Sequence, residues 1–160
     1  MIMDTLTLAR ILHVLGVVIW IGGVGMVTMV VLPTVKSFRT GEAGGHMFEA
    51  VERRFAWIAR AMTLIVGLSG LYMVWKLDLW ERFAHLSFWW MHAMVAVWAI
   101  FTLILFVAEP LMHRKIAGQL QNDPERTFRR MQRVHWVLLL MSLITIAGAL
   151  AGAHGVAFFA

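Results

Sequence analysis

The chain has 160 residues, 61% of them hydrophobic and 14% charged, with a net charge of +5 and no cysteine. A soluble domain is about 45–50% apolar and about 25% charged, so this composition excludes an ordinary soluble fold. Without cysteine there are no disulfides, thiolate metal sites, iron–sulfur clusters or covalently attached haem c. The basic excess points to membrane topology and anionic lipid headgroups; nothing in the sequence argues for nucleic acid.

The charges are segregated. Residues 11–35, 61–75, 83–108 and 134–160 contain no Asp, Glu, Lys or Arg. A helix crosses the hydrocarbon with about 20 residues, so the pattern predicts four transmembrane helices. The first covers about 6–34. It lacks the basic segment and small-residue cleavage site of a signal peptide and is expected to stay in the mature protein. Pro33 lies near its end, where a proline loosens or ends a helix. The Gly41–Gly45 stretch is turn chemistry before a second helix over about 44–77, whose apolar run lengthens if Arg60 snorkels to the headgroups. The connection Asp78–Leu86 is short, which makes the second and third helices neighbours. The third helix covers about 88–113, with Pro110 near its end. Gln121–Pro124 is again turn chemistry, and the fourth helix covers about 125–152. The expected fold is all-α: one transmembrane domain over 1–160, an integral membrane four-helix bundle. The second and fourth helices should extend beyond the membrane as amphipathic, arginine-bearing segments.

Orientation follows from the loops. Lys36, Arg39, Arg53, Arg54 and Arg60 lie between the first two helices, and Arg114, Lys115, Arg126, Arg129, Arg130 and Arg133 between the last two. The other side has only Arg10, Lys76 and Arg82. The positive-inside rule then puts both long loops in the cytoplasm and both termini outside. Trp75, Trp80, Trp89 and Trp90 gather at the outer interface, as an aromatic belt does.

Residues 1–80 and 81–160 repeat each other at an offset of 79: His13 lands on His92, Arg54 on Arg133, Trp57 on Trp136, and Met62–Ile65 on Met141–Ile144. Each half is one helical hairpin, so the repeat is parallel, with a pseudo-two-fold along the membrane normal. That axis predicts His13 and His92 at one depth near the outer side, facing each other across the bundle. His13 shares its face with Gly16 and Trp20, and His92 with Ala96, Ala99 and Leu103, by the helical period. The small residues leave space. In the plainer reading, Gly16, Gly23, Gly67, Gly70 and Gly148–Gly152 only let helices pack closely.

Intramembrane ionisable residues are costly and mark function. Two neutral imidazoles from opposite sides provide axial ligation for a haem b, with Arg10 nearest to pair with the propionates and Lys76 and Arg82 behind it. His135 and His113 form a reserve pair at the inner side, with an interfacial role as the plainer reading. His46, His85 and His154 lie at or beyond helix ends. Arg60 either snorkels, binds an anionic group, or pairs with a carboxylate such as Glu109. Copper competes with haem as the bound metal, because Met91 and Met94 flank His92 and thioether with imidazole suits Cu(I).

The stretches His13–Gly23 (HVLGVVIWIGG), Glu52–Phe55 (ERRF) and Trp90–Ala93 (WMHA) resemble the small bacterial membrane proteins of the CopD-like and HemJ-like group. The HemJ-like resemblance implies haem b, protoporphyrinogen IX oxidation, a first-helix histidine matched by His13 and an Arg-Arg segment matched by Arg53–Arg54. The third-helix lysine of that family is Met94 here, and the family's polar carboxyl-terminal signature is missing. The CopD-like resemblance implies copper handling. Either implies a bacterial cytoplasmic membrane, and the loop charges then put both termini on its periplasmic side.

Three functional readings stand side by side. One is a b-type cytochrome with haem on His13 and His92, exchanging electrons with a quinone or a redox partner protein. Another is copper handling through His13, His92, Met91 and Met94. The third is a structural subunit of a larger membrane complex, or a homodimer, packed through glycine faces. No acid–base pair marks a catalytic residue, so enzymatic turnover would have to come from the cofactor.

Overall fold

A computed structural model describes residues 4–37, 42–111 and 123–156. Four helices are long and apolar enough to cross a membrane: Thr5–Val35, Ala50–Lys76, Leu86–Leu111 and Glu125–Ala153, called here the first to fourth spans. Among the described residues there is no strand. Large apolar side chains such as Val18, Leu68, Leu103 and Ile144 project outward over half exposed. In water that surface would aggregate; in lipid it is the natural exterior of a multi-pass protein. The second helix runs Glu42–Lys76, well beyond the apolar span, and the fourth runs Pro124–Ala153. The expected turn at Gly41–Gly45 is therefore corrected: residues 42–45 are already helical, the glycine penalty of about 1 kcal/mol each being absorbed by a 35-residue helix. Asp123 caps the fourth helix, accepting from the Arg126 backbone N–H at 3.1 Å.

The first span packs chiefly on the second and the third on the fourth, and contacts from first to fourth and second to third close the ring. The centre is filled by Trp20, Val24, Ala59, Val66, Val97, Phe101 and Leu139. Trp20 reaches across to Phe101 edge-to-face, with centroids 4.8 Å apart.

Five glycines, Gly16, Gly23, Gly67, Gly148 and Gly152, are notches, each filled by a side chain of a neighbouring span. A Cβ on Gly16 would lie 2.8 Å from Val66, one on Gly67 2.6 Å from the Trp98 indole, and one on Gly148 2.5 Å from Trp89; Gly152 likewise receives Trp90, and Gly23 receives Phe55. Close packing through small residues is thus their role. Three of the five notches are taken by tryptophan, and the one beside His13, at Gly16, by Val66.

Both prolines leave a backbone carbonyl without a donor, and in both cases another span supplies one. Before Pro33 the first helix widens into a π-turn over Val27–Val31, in which the Leu32 N–H bonds to the Val27 carbonyl. The Thr28 carbonyl then loses its α-helical donor to Val27, and its π-helical donor would be Pro33, which has no N–H. Gln132 Nε2 from the fourth span donates to it at 2.7 Å. Before Pro110 the third helix does the same over Ile104–Ala108, with the Glu109 N–H on the Ile104 carbonyl. The orphan is the Leu105 carbonyl, and Arg60 Nε from the second span donates to it at 3.0 Å. Arg60 also holds Glu109 at 3.0 Å and lies over the Trp57 ring. Each clasp joins one hairpin to the other.

Two outcomes follow from this packing. Gly67→Ala should destabilise the protein by about 1–3 kcal/mol, because Trp98 must move; Gly22→Ala, with nothing within 4 Å of its Cβ, should be neutral or gain up to about 1 kcal/mol. Equal effects in a reversible detergent-unfolding titration would refute the notch. Gln132→Leu should destabilise by about 1–3 kcal/mol by stranding the Thr28 carbonyl. The same change in a Pro33→Ala background should be milder, since residue 33 then has an N–H to give. Strict additivity in that double-mutant cycle would contradict the clasp.

Candidate functional site

The polar site that faces the first two spans is built on His13. Its Nδ1 lies 3.0 Å from the Val66 carbonyl and 3.2 Å from Ser69 Oγ. Ser69 is eight per cent exposed, and its hydroxyl hydrogen is directed back to its own helix, at 2.6 Å from the Ile65 carbonyl. Both neighbours of Nδ1 therefore present oxygen lone pairs, and Nδ1 must carry the proton. The neutral imidazole is thereby set in one tautomer, with the Nε2 lone pair uncommitted. Among the described residues Nε2 has no hydrogen-bond partner. Gly70 makes room for the ring: a Cβ there would be 3.1 Å from His13 Cε1. Tyr72 donates to Thr5 Oγ1 at 2.9 Å and ties the start of the first span to the second on this side.

His92 is placed differently. It is exposed, and its Nε2 donates to the Phe83 carbonyl at 3.0 Å in the connection between the second and third spans. The Phe83 ring meets its imidazole edge-on, centroids 5.5 Å apart. No polar contact links His13 with His92, and each imidazole is held by different partners. The reason lies in the second hairpin. At the 79-residue offset Ser69 becomes Gly148, so the hydroxyl that orients His13 has no counterpart. The notch at Gly148 takes Trp89, and the one at Gly152 takes Trp90. With its inner face occupied by tryptophan, the third span turns His92 outward.

The remaining candidates are scattered. Arg10 is exposed, as is Lys76, and Arg82 lies over the Phe88 ring at 5.0 Å. Met91 is six per cent exposed, in the core, while His92 next to it faces out. Of the copper set His13, His92, Met91 and Met94, Met91 is thus buried and His92 exposed. His135 donates from Nδ1 to the Met131 carbonyl one turn back, at 2.9 Å; its suggested mate His113 lies outside the described residues. Among the described residues, no three His, Asp or Glu side chains are grouped to hold a metal ion. Of the alternatives weighed for Arg60, pairing with Glu109 is the one observed.

The sequence reading missed Ser69, the Val66 carbonyl and the Phe83 carbonyl as partners of the two histidines. A serine four residues after an inward-facing helix carbonyl is common in membrane helices and carries no signal by itself. Two other polar atoms, Trp20 Nε1 and Thr63 Oγ1, are buried without a hydrogen-bond partner in the middle of the bundle.

Compared with known proteins, the chain matches no family model, and no curated protein or solved structure is similar to it. The CopD-like and HemJ-like resemblance rests on the short motifs quoted above.

The two histidines should differ in tautomer. Nitrogen-15 spectroscopy of histidine-labelled protein in bilayers should find His13 protonated at Nδ1 and His92 at Nε2, assigned by His13→Gln and His92→Gln. Ser69→Ala should leave the His13 tautomer in place through Val66 alone. An Nε2-protonated His13 would overturn the geometry described.

Proposed function

We propose that this chain is a membrane-embedded haem b protein in which His13 Nε2 is an axial ligand, and that it transfers electrons at the end of the bundle where the termini lie. The observation that carries this reading is the His13 environment. An imidazole inside a membrane span is held by a backbone carbonyl and a serine through one nitrogen, and its other nitrogen is left with a free lone pair. Ligating histidines almost always use their second nitrogen in this way, which fixes the ring and raises its basicity. In a hydrocarbon setting an uncommitted nitrogen is a cost unless something binds it. Haem supplies the electron chemistry when bound; the chain's part is to orient the imidazole and exclude water.

The fit is to one ligand, with the second conditional. Gly16, which shares the face of His13, is filled by Val66, and Trp89, Trp90 and Trp98 fill Gly148, Gly152 and Gly67. His92 would join through Nδ1, the nitrogen that carries the lone pair while Nε2–H stays on the Phe83 carbonyl, and its exposed position leaves it accessible. Arg10, exposed one turn before His13, is the cation proposed for a propionate. Two further parts of the reading are proposals with their own support. The uneven division of basic residues supports cytoplasmic long loops, with both termini on the periplasmic side of a bacterial inner membrane. The two proline clasps support a duplicated hairpin: exchanging first with third and second with fourth spans maps one clasp onto the other. Pro110 falls two positions before Met112, the offset mate of Pro33, whereas the donor Arg60 lies seven residues beyond Arg53, the offset mate of Gln132, so the clasps correspond by span and not by register.

The test is an absorption spectrum of the detergent-purified protein made with ample haem. A Soret band that shifts on dithionite reduction, absent in His13→Ala, is the expected result. Ser69→Ala should weaken haem affinity by about 10-fold or more, the usual scale for a partner behind a ligand. His92→Ala should convert low-spin to high-spin haem. A colourless wild-type protein, or His13→Ala with an unchanged spectrum, would sink the proposal.

A further inference from the structure

Four arginines at the start of the fourth helix, Arg126, Arg129, Arg130 and Arg133, recur at helical spacing and, among the described residues, are the ones that line one surface concavity. All four are exposed. Arg129 is paired with Glu125 at 3.1 Å; the other three have no carboxylate partner among the described residues. The Asp123 side chain is occupied in capping the backbone of Arg126. The concavity thus presents three uncompensated guanidinium groups and a fourth shared with Glu125.

The direction of this stripe identifies what it meets. Continued along the helix at the same spacing, Arg133 leads to Trp136, Val137, Leu140 and Ile144, all exposed, the last at 60%. These residues form the lipid-facing side of the fourth span. The arginines stand at the head of that apolar stripe, where the helix leaves the hydrocarbon. An anion bound there that also carries acyl chains would lay them along Val137, Leu140 and Ile144, whereas a soluble anion gains nothing from that surface. Trp136, next to Arg133 on the stripe, belongs at headgroup level, where indole is favoured. The second span has a thinner version of the same arrangement: Arg54, then Trp57 and Ile58, then Leu64, Leu68 and Leu71, all exposed. Arg54 and Trp57 are the offset mates of Arg133 and Trp136, but only the fourth helix carries the added arginines.

We infer that Arg126, Arg129, Arg130 and Arg133 form a binding site for an anionic phospholipid whose headgroup carries two phosphodiesters, of the diphosphatidylglycerol type. Guanidinium is suited to the task because its planar fork grips phosphate oxygens in pairs. Three uncompensated guanidiniums match two phosphodiester charges better than one. The site is independent of the haem reading: it lies at the opposite end of the bundle from His13 and uses none of the same residues.

Native mass spectrometry of the full chain tests this, with protein released from micelles holding equal amounts of phosphatidylcholine, phosphatidylglycerol and diphosphatidylglycerol. Diphosphatidylglycerol adducts should exceed the other two by about tenfold or more. The triple variant R126Q/R130Q/R133Q should lose that preference, and R130Q or R133Q alone should cut it by about fivefold, the scale of one basic residue at an anionic surface. Arg54→Gln should leave it unchanged. The single variants keep the test decisive if the triple variant does not fold. Equal binding of all three lipids, or a preference that survives in R130Q and R133Q, would overturn the site. A second arm adds millimolar pyrophosphate without anionic lipid; retention of pyrophosphate as strong as that of the lipid would mean a soluble-anion site and would equally refute the lipid assignment.

Discussion

A backbone carbonyl inside hydrocarbon has no water to turn to, and this structure is organised around two that lose their helical donors. A proline near the end of a membrane helix is tolerated only if something re-satisfies the freed groups. Pro33 and Pro110 each force a π-turn that leaves one carbonyl, of Thr28 and of Leu105, with neither an α nor a π donor. The donors come from elsewhere: Gln132 in the fourth span and Arg60 in the second. Each reaches from one hairpin into the other. What would be a defect within a single helix becomes the polar fastening between the two halves.

Arg60 shows how one constraint draws in others. An arginine in a span is costly, and snorkelling alone would account for it. Here its Nε meets the orphaned carbonyl, a terminal nitrogen meets Glu109, and its plane lies over Trp57. Glu109 in turn is the residue whose backbone N–H was diverted to Ile104 by the π-turn. Charge, backbone and ring are satisfied together, which argues for a structural part in holding the bundle rather than for a substrate-binding one.

The other fastening is steric, and it decides the fate of the histidines. Glycine notches in a membrane bundle permit either a close approach of backbones or the entry of a large side chain. In this bundle Trp98, Trp89 and Trp90 enter at Gly67, Gly148 and Gly152, and Val66 at Gly16. At the end of the bundle where His13 and His92 lie, the two halves differ at the positions that seat the rings, Ser69 and Gly70 against Gly148 and Ala149. Ser69 beside Gly70 makes a polar seat for His13, whereas Gly148 at the matching position makes an apolar one for Trp89. One imidazole is therefore drawn in and set in a single tautomer, and the other is displaced to the periphery.

The four spans, their ends to within a few residues and the crowding of arginine at one end were legible in the amino-acid sequence, because hydrocarbon thickness and charge exclusion act on composition directly. The pairing of Arg60 with Glu109 stood among the readings considered, since both lie near one end of adjacent helices. The facing histidine pair was also drawn from sequence, by treating the offset of 79 as a symmetry. The matched residues carry that inference, and the mismatch of Ser69 with Gly148 gives the two imidazoles different partners. Helical phase says which residues share a face; it does not say which of two neighbours occupies a notch, since that depends on side-chain volumes on another span. Likewise both prolines were visible, but no sequence rule names Gln132 as the donor to a carbonyl 104 residues away. Composition and periodicity determined the membrane, the number of spans and the two hairpins' extents. Only the tertiary structure decided which polar groups meet, because hydrogen bonds and notch filling are set by contacts between helices that are distant in sequence.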